Sequence, residues 1–261
     1  NVYKHEKELF DLLIQNNENI FEGRTDSIKK IKNLLPQKLI KISGKSGIGK
    51  TSFICKLINE LEYNYKNYFF IGDTIEKNDI YNVFNYFIYN LGFKPLKTND
   101  VEKLSSYFYE CLHSLDKNKK YLFTIDALDK LETYGKTSFE EIFLNEKIPN
   151  NVTFIITGIN LKYSDLTLKE FKLDEIEKVI SKKVKNYKKE LPNSFFSLLG
   201  QCSEQKIKSL RNPLLLTMAI DNLLFISIND YKTGSNYQFP YRDATDLVHY
   251  GAPEGTKVLM L

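Results

Sequence analysis

The sequence predicts an α/β fold in which a parallel sheet carries helices on both faces and is followed by a small helical domain. Three observations support this prediction. Short apolar segments alternate with helical ones, a glycine-rich octapeptide joins the first apolar segment to a helix, and strand signals end at about residue 172. Alternating strands and helices are typical of parallel sheets, because each crossover helix covers one face of the sheet.

Four segments have the composition of buried strands. Each is short and apolar and contains β-branched or aromatic residues, as expected when both faces of a strand are covered. The four segments are 39–43, 68–71, 121–125 and 152–156.

Helical segments precede, separate and follow these strands. Leucines repeat at helical spacing in the first of them, and Asp26 is placed to cap the second, which Pro36 ends. The predicted helices are 3–15, the segment after Asp26, Lys50 to about Glu62, 78–91, 100–116, 138–144, 174–190, 193–209 and 213–226.

The glycine-rich octapeptide, residues 44–51, matches the phosphate-loop pattern G-x-x-x-x-G-K-[ST] at every required position. Glycines allow successive backbone N–H groups to face an anion, and the following helix directs its positive end at the phosphates. Lys50 is placed to reach the β- and γ-phosphates, and the Thr51 hydroxyl to bind Mg²⁺. The predicted cofactors are therefore ATP or ADP with Mg²⁺. The predicted binding residues are Gly44, Lys45, Ser46, Gly47, Ile48, Gly49, Lys50 and Thr51.

The metal needs a second ligand from a neighbouring strand. Asp126 directly follows the segment 121–125, so it is predicted to lie at the carboxyl edge of the sheet, where ligands of open α/β folds bind. Asp129 is predicted to orient or deprotonate the attacking water, although a loop carboxylate or helix cap is an equally good interpretation. The predicted catalytic residues are Lys50, Asp126 and Asp129, and the predicted Mg²⁺ ligands are Thr51 and Asp126.

Two other classes of phosphate-loop protein are disfavoured. Guanine recognition normally uses an Asn-Lys-x-Asp segment, and the sequence has none. Small-molecule kinases rarely carry a helical domain after the sheet. The pattern therefore favours a P-loop NTPase of the ASCE type.

The chain is predicted to have four parts. They are a helical lead-in over 1–20, the NTPase domain over 21–172, a helical lid domain over 173–230, and an unassigned tail or the start of a further domain over 231–261. Because the chain begins at Asn1 rather than Met, we interpret it as a piece of a longer polypeptide.

The charge of the chain argues against nucleic acid as a partner. The formal net charge is +4 and lysines alternate with acidic residues, whereas nucleic-acid-binding proteins usually concentrate basic residues on one face. The densest basic run, 182–189, is interpreted as a solvated helix face. Interleaved aromatic and lysine residues over 63–93 are consistent with a stacking platform for single strands. However, Phe84, Phe87 and Leu91 repeat at helical spacing and favour core packing.

A cytoplasmic location is predicted, with no membrane association. No apolar run reaches the roughly 20 residues of a membrane span, and no signal segment opens the chain. Cys55, Cys111 and Cys202 are odd in number and far apart. This spacing disfavours a disulfide framework or a zinc site and favours reduced thiols that fill the core.

Four segments, in order along the chain, resemble the motifs of STAND-class P-loop NTPases of the NACHT type. They are Phe21-Glu22-Gly23-Arg24, similar to the GR motif before the phosphate loop; 44–51, the loop itself; Thr124 to Asp129, hydrophobic residues before Asp-Ala-Leu-Asp; and Arg211-Asn212-Pro213-Leu214-Leu215-Leu216, similar to the proline motif of the helical domain. The likeness covers about residues 18–228. Within the class it is greatest to the NACHT domains of telomerase-associated and nephrocystin-like proteins.

This resemblance implies a slow ATPase that acts as an ATP/ADP switch within a larger signalling protein. Its implied partners are further copies of the same protein, which self-oligomerise through the NTPase module, and the other domains of the same polypeptide. It implies that Pro213 lies near the adenine and Arg24 near the base and ribose. The chain departs from the family in two places. Lys130 follows Asp129 where many relatives have Glu, which argues against efficient hydrolysis. No arginine follows Thr157, although many members of the family have one there that senses the γ-phosphate. Thr157 is therefore interpreted either as a polar sensor of the γ-phosphate or as a strand-end hydroxyl with a structural role.

Two other functions stay open. One is a DNA-directed AAA-like ATPase, such as an origin-recognition or clamp-loading subunit, which also has a GR motif. It needs a basic face and an arginine finger, and Arg242 is the only spare arginine. The other is a non-hydrolysing scaffold that holds nucleotide for stability, which Lys130 favours.

Overall fold

The computed structural model describes residues 2–72, 79–131, 147–159, 161–186 and 210–230. The predicted helices at 138–144 and 193–209 and the tail 231–261 lie outside these residues. The strands are β1 (Leu39–Ser43), β2 (Tyr65–Phe70), β3 (Tyr121–Asp126), β4 (Val152–Gly158) and β5 (Leu166–Thr167). The helices are α1 (Val2–Ile20), α2 (Thr25–Leu34), α3 (Lys50–Glu60), α4 (Ile80–Asn90), α5 (Val101–His113), a 3₁₀ turn (Leu128–Lys130), α6 (Leu173–Asn186) and α7 (Pro213–Asp230).

Within the described residues, five strands pair in parallel in the spatial order β2-β3-β4-β1-β5. Strand β4 therefore lies between β1 and β3: Phe154 pairs with Leu39 of β1 and with Phe123 of β3. Because parallel strands end at the same edge, the loops after β1, β3 and β4 begin side by side. The predicted fold class, an ASCE-type P-loop NTPase sheet with helices on both faces and a small helical domain after it, is confirmed.

The observed strands differ from the predicted ones at their limits. Strand β2 begins at Tyr65, because its backbone pairing with β3 continues through the polar residues Lys66 and Asn67. The sequence does not predict β5, since its two residues, Leu166 and Thr167, are too few to show a periodic pattern.

Aromatic side chains fill the core around the sheet. Phe123 of β3 stacks on Phe154 of β4 with 4.9 Å between ring centroids, and Phe87 of α4 meets Phe123 edge-on at 5.2 Å. Phe84 and Phe87 are fully buried, whereas Leu91 is half-buried at the end of α4. The prediction that these aromatic residues pack in the core is confirmed for Phe84 and Phe87.

The chain divides into two compact units. The first consists of residues 1–18, 25–46 and 50–168 and contains the sheet. The second consists of 19–24, 47–49 and the residues from 169 on. The three-residue tip of the phosphate loop thus groups with helices α6 and α7.

An apolar cluster forms the core of the second unit. Its buried members are Phe171, Ile176, Val179, Ile180, Leu210, Leu216, Ala219 and Ile220. Lys183 of α6 is buried beside them, and its Nζ donates to Asp221 Oδ1 of α7 at 2.6 Å. The interpretation of 182–189 as a solvated helix face is therefore wrong at Lys183, because the Asp221 carboxylate compensates the ammonium for its lost hydration.

Two of the three cysteines, Cys55 and Cys111, lie within the described residues. Cys55 and Cys111 are buried free thiols, and burial raises the pKa of Cys55 to about 12. Cys202 lies outside the described residues. Across the described ranges, no helix combines the length and the apolar character needed to cross a bilayer.

Candidate nucleotide-binding site

The phosphate loop connects β1 to α3 through two glycines in the left-handed region. Gly47 has φ +71° and Gly49 has φ +84°, conformations that glycine adopts at little cost and other residues do not. Ile48, between them, is not left-handed. Alternation of this kind turns successive N–H groups towards one side and forms a concavity that binds anions.

Lys50 opens α3 and folds back over the first half of the loop. Its Nζ donates to the Gly44 carbonyl at 2.7 Å and to the Lys45 carbonyl at 3.1 Å. Partial burial lowers the pKa of Lys50, while Asp129 and Asp126 raise it. The ammonium is thus close to the two carboxylates at the neighbouring strand ends. Of the other predicted loop residues, Lys45 and Ser46 are exposed.

A carboxylate at the end of β3 meets two hydroxyls. Thr51 Oγ1 donates to Asp126 Oδ2 at 2.5 Å, and Thr157 Oγ1 donates to Asp126 Oδ1, also at 2.5 Å. Burial raises the pKa of Asp126, and the bonds from Thr157 and Thr51 lower it, with burial the larger effect. We call Thr51, Asp126 and Thr157 the strand-end cluster.

The sheet order explains how these three side chains meet. Thr157 lies near the end of the interposed strand β4, so it is the direct neighbour of the β3 end. Ala127 turns the chain away from β3 with φ +64°, and its N–H donates to Thr157 Oγ1 at 2.9 Å. Thr157 therefore donates to Asp126 and accepts from the next residue, which fixes the direction of the carboxylate.

Asp129 is held at the end of β4. Its Oδ1 accepts from the Ile159 N–H at 2.9 Å. A Cβ at Gly158 would come within 3.0 Å of the same oxygen, so a glycine at this position leaves room for Asp129. Gly158 and Ile159 are site residues that sequence reasoning missed; a glycine at the end of a strand was the one available signal.

The strand-end cluster fits magnesium by its chemistry. Thr51 and Asp126 supply one hydroxyl and one carboxylate oxygen that already lie within hydrogen-bond distance of each other. Mg²⁺ in phosphate sites takes one or two protein oxygens, completes its octahedron with water and substrate phosphates, and favours oxygen over softer ligands. These two residues would hold the metal, and Lys50 would face the same phosphates.

Arg24 lies in the second unit and binds backbone carbonyls. Its Nη2 donates to the Ile48 carbonyl at 2.7 Å, and its Nη1 donates to the Lys169 carbonyl at 2.8 Å. The guanidinium stacks over the Phe171 ring at 4.8 Å, and the Arg24 N–H donates to Glu175 Oε1 at 2.7 Å. Burial lowers the pKa of Arg24, and Glu175 raises it.

Pro213 is the first residue of α7, and Asn212 caps the helix. Asn212 Oδ1 accepts from the N–H groups of Leu214 and Leu215 at 3.0 and 3.4 Å. The Leu214 N–H also donates to the Gly47 carbonyl at 3.2 Å. A Cβ added to Gly49 would lie 3.7 Å from the Pro213 Cβ, so the ring of Pro213 packs against the loop.

The predicted residues thus fall into two groups. Lys50, Thr51, Asp126, Asp129 and Thr157 come together in the first unit. We call the second group the loop-tip cluster; it consists of Arg24, Gly47, Ile48, Gly49, Pro213 and Leu214. Sequence reasoning missed Glu175 and Leu214, because a backbone or carboxylate partner far along the chain leaves no local pattern.

Comparisons with known proteins identify the fold. No family model matches the sequence, and no curated protein matches it. Among solved structures, the chain is similar to a Walker-type ATPase of Pyrococcus abyssi (14% identity over 79% of this chain and 69% of that chain, TM-score 0.53). It is also similar to Cdc6p of Pyrobaculum aerophilum (15% identity over 81% of this chain and 62% of that chain, TM-score 0.55). A third similar structure is the Orc1 protein of Aeropyrum pernix in complex with DNA (12% identity over 64% of this chain and 50% of that chain, TM-score 0.50).

These likenesses define the class of the fold, an α/β fold of the P-loop NTPase type. The chain spans between half and about two-thirds of the length of these proteins. At 12 to 15% identity the similarity establishes the fold alone.

The comparisons correct two predictions. The assignment to NACHT-type STAND NTPases is wrong: the solved structures with which the chain shares its fold include Cdc6p and Orc1, and none of the three described above is a NACHT protein. The motifs that suggested NACHT are short, and the loop and acidic strand end recur throughout P-loop proteins. The argument against nucleic acid is also wrong, since the DNA-bound Orc1 has this fold. Net charge sums over the whole surface and does not report how basic a single face is.

Proposed function

We propose that this chain is the ATPase module of a DNA-directed protein of the origin-recognition or Cdc6 kind. It binds ATP with Mg²⁺ at the phosphate loop, and the bound nucleotide governs its hold on DNA. One observation carries the nucleotide part of this proposal. Thr51 and Asp126 lie 2.5 Å apart, next to a loop whose two left-handed glycines create an anion-binding concavity.

Each residue of the site has a role in this proposal. The amides of 44–51 bind the phosphates, and Lys50 leaves the Gly44 and Lys45 carbonyls to neutralise the β- and γ-phosphates. Thr51 and Asp126 hold the metal. Asp129 orients the attacking water, and Pro213 packs against the loop tip near the nucleotide.

Thr157 has a positioning role in this scheme. Its hydroxyl donates to Asp126 and accepts from Ala127, so both of its bonding directions are used within the strand-end cluster. Thr157 would act on a bound metal only by orienting the Asp126 carboxylate.

A loop of the first unit provides a candidate surface for DNA. Tyr163 is 94% exposed and has φ +53°, a conformation that is uncommon for a bulky residue. The Lys41 N–H donates to Asp165 Oδ2 at 2.8 Å, and the Asp165 N–H donates back to the Lys41 carbonyl at 2.9 Å. These bonds hold the loop rigidly against β1.

Two lysines bond to the backbone of the same loop, and a third precedes Tyr163 in the chain. Lys30 Nζ donates to the Asp165 carbonyl at 2.7 Å, Lys41 Nζ donates to the Lys162 carbonyl at 3.4 Å, and Lys162 itself is exposed. Cationic groups beside an exposed aromatic ring are typical of single-stranded nucleic-acid contacts, in which a base stacks on the ring and ammonium groups neutralise phosphates. We assign this surface, Lys30, Lys41, Lys162 and Tyr163, to DNA.

Fluorescence anisotropy with labelled single-stranded DNA tests the proposal. Binding is measured with and without ATP–Mg²⁺ between about 50 and 200 mM salt. We expect binding that weakens with salt, depends on nucleotide, and loses its nucleotide dependence in Lys50→Ala. Tyr163→Ala is expected to weaken it by about tenfold. Tight ATP binding without DNA binding at the lowest salt would exclude the DNA-directed function.

A second candidate is a scaffold that binds nucleotide without hydrolysing it. The bond from the Ile159 N–H to Asp129 Oδ1 favours it, because it occupies a carboxylate oxygen that would otherwise accept a hydrogen bond from the attacking water. Lys130, next in the chain, adds a positive charge. A turnover assay comparing the native chain with Asp129→Asn decides: equal, background rates would establish the scaffold, and a loss of turnover in the variant would exclude it.

A further inference from the structure

Two carbonyls at the tip of the phosphate loop are bound by donors from distant segments of the second unit. Arg24 Nη2 donates to the Ile48 carbonyl at 2.7 Å, and the Leu214 N–H donates to the Gly47 carbonyl at 3.2 Å. Both are backbone acceptors next to the glycines with positive φ. The tip is therefore fixed at two consecutive peptide groups.

Peptide planarity turns these two bonds into a constraint on the amides. In a trans peptide the C=O of one residue and the N–H of the next point in opposite directions, and the described residues contain no cis peptide. Holding the Gly47 carbonyl fixes the direction of the Ile48 N–H, and holding the Ile48 carbonyl fixes that of the Gly49 N–H. Both N–H groups point away from the donors that hold the carbonyls.

Arg24 is itself held tightly in place. It is 6% exposed and has φ +59°, a conformation that costs energy in a residue with a Cβ. The contacts described above compensate for this cost: Glu175 accepts its N–H, the Lys169 carbonyl accepts from Nη1, and Phe171 covers the guanidinium. A guanidinium fixed in this way forms a charge-assisted bond to Ile48, stronger than a bond between neutral groups.

We propose that Arg24 is a positioning residue of the phosphate loop, which sets the Gly49 N–H for phosphate by holding the Ile48 carbonyl. It acts on the polyphosphate through the backbone and does not contact the base or ribose. This inference rests on the nucleotide binding of the proposed function and is independent of DNA. It also explains why arginine is needed: its planar fork directs two separate nitrogens, Nη2 and Nη1, at the Ile48 and Lys169 carbonyls, whereas lysine has a single nitrogen.

A ligand without a base separates positioning from direct contact. Inorganic tripolyphosphate has the charge and the phosphates of ATP but no adenine or ribose. If Arg24 touched the base or sugar, its removal would lower the affinity for ATP and leave the affinity for tripolyphosphate unchanged. If it sets the loop amides, both ligands weaken by the same factor.

The experiment measures the competition of ATP and of tripolyphosphate against a fluorescent ATP analogue. We expect Arg24→Ala to weaken both by about tenfold, the effect of losing roughly one charge-assisted hydrogen bond. Arg24→Lys should recover part of the loss for both ligands, since an ammonium reaches one carbonyl. Should Arg24→Ala fail to fold, the same ratio is taken from Arg24→Lys.

Lys182→Met is the matched control. Lys182 donates to the Phe21 carbonyl at 2.5 Å and pairs with Glu22 at 3.4 Å, so it supports the segment before Arg24 without touching the loop. We expect it to lower the melting temperature and leave both affinities unchanged. Unchanged tripolyphosphate affinity in the Arg24 variants, or an equal loss in Lys182→Met, would overturn the inference. A failure of DNA binding alone would overturn only the DNA-directed function.

Discussion

The strand-end cluster and the loop-tip cluster hold the same loop by different means. In the first, three side chains bond to one another at the ends of adjacent elements, with Thr51 and Thr157 both on Asp126 at 2.5 Å. In the second, donors from distant segments, Arg24 and Leu214, bind backbone carbonyls. The first depends on which functional groups are present, and the second on the shape of the backbone.

This difference predicts how each cluster responds to substitution. Changing a group in the strand-end cluster alters charge or a metal ligand while the sheet stays intact. Changing a group in the loop-tip cluster alters the path of the backbone and therefore stability and affinity together. The following substitutions separate the two responses.

The largest effect is expected from Lys50→Ala. The variant loses the cation that faces the phosphates, and we expect ATP affinity to fall about a hundredfold, roughly the contribution of a strong charge-assisted interaction. Titration calorimetry measures it, with Lys56→Ala on the same helix as a control, since Lys56 pairs with Glu60 at 3.3 Å. A change of less than about threefold in Lys50→Ala would mean that phosphates bind elsewhere.

Next comes a pair of loop-tip variants, Gly47→Ala and Gly49→Ala. Both require a positive φ, at a cost of about 1–2 kcal/mol. Only at position 47 would the new Cβ be crowded, at 3.2 Å from Asn212 Oδ1 and from Leu214 Cβ. Urea unfolding should therefore show Gly47→Ala less stable than Gly49→Ala by about 1 kcal/mol. Equal losses of unfolding free energy in the two variants would mean that the start of α7 shifts to accommodate the new Cβ without destabilising the chain.

Asp126→Asn is expected to stabilise the ligand-free chain while removing function. Burial raises the pKa of Asp126, so its ionised form opposes folding and a neutral amide of the same shape does not. We expect the melting temperature to rise by about 2–4 °C and the Mg²⁺ dependence of ATP affinity to disappear. Thr157→Val, which removes a hydroxyl bonded to Asp126, should lower the melting temperature instead. A lower melting temperature in Asp126→Asn would show that the hydrogen bonds from Thr51 and Thr157 stabilise the ionised carboxylate by more than its burial destabilises it.

The smallest effect is expected from Asn212→Ala, which removes the cap of α7. Loss of such a cap costs about 1 kcal/mol. Amide hydrogen exchange should become about fivefold faster at Leu214 and Leu215, while exchange in β3 stays as it was. Faster exchange in β3 as well would mean that the cap stabilises both units.

The sequence predicted that Thr51 and Asp126 of the strand-end cluster lie together, because each follows a local pattern, whereas it left the role of Thr157 open. The phosphate loop, the strand before Asp126 and the helix after the loop can all be recognised within a few residues. The predicted positions of Thr51 and Asp126 then follow from the rule that parallel strands end at one edge.

The loop-tip cluster could not be predicted in the same way. Arg24 bonds to a carbonyl and to Glu175, 151 residues away, and a backbone acceptor has no sequence signal. Lys183 was misread for the same reason, since Asp221 lies 38 residues further on. Short motifs also led to the wrong class of NTPase, because they define the chemistry of a loop better than they define a family.

The position of β4 between β1 and β3 has a consequence for biosynthesis. A ribosome makes the phosphate loop first, then Asp126, and last the strand that must insert between β1 and β3. A nascent chain that ends before residue 158 therefore has both halves of the site but no sheet to align them, and we expect it not to retain ATP. We therefore expect ATP binding to begin only in nascent chains long enough to include all of β4.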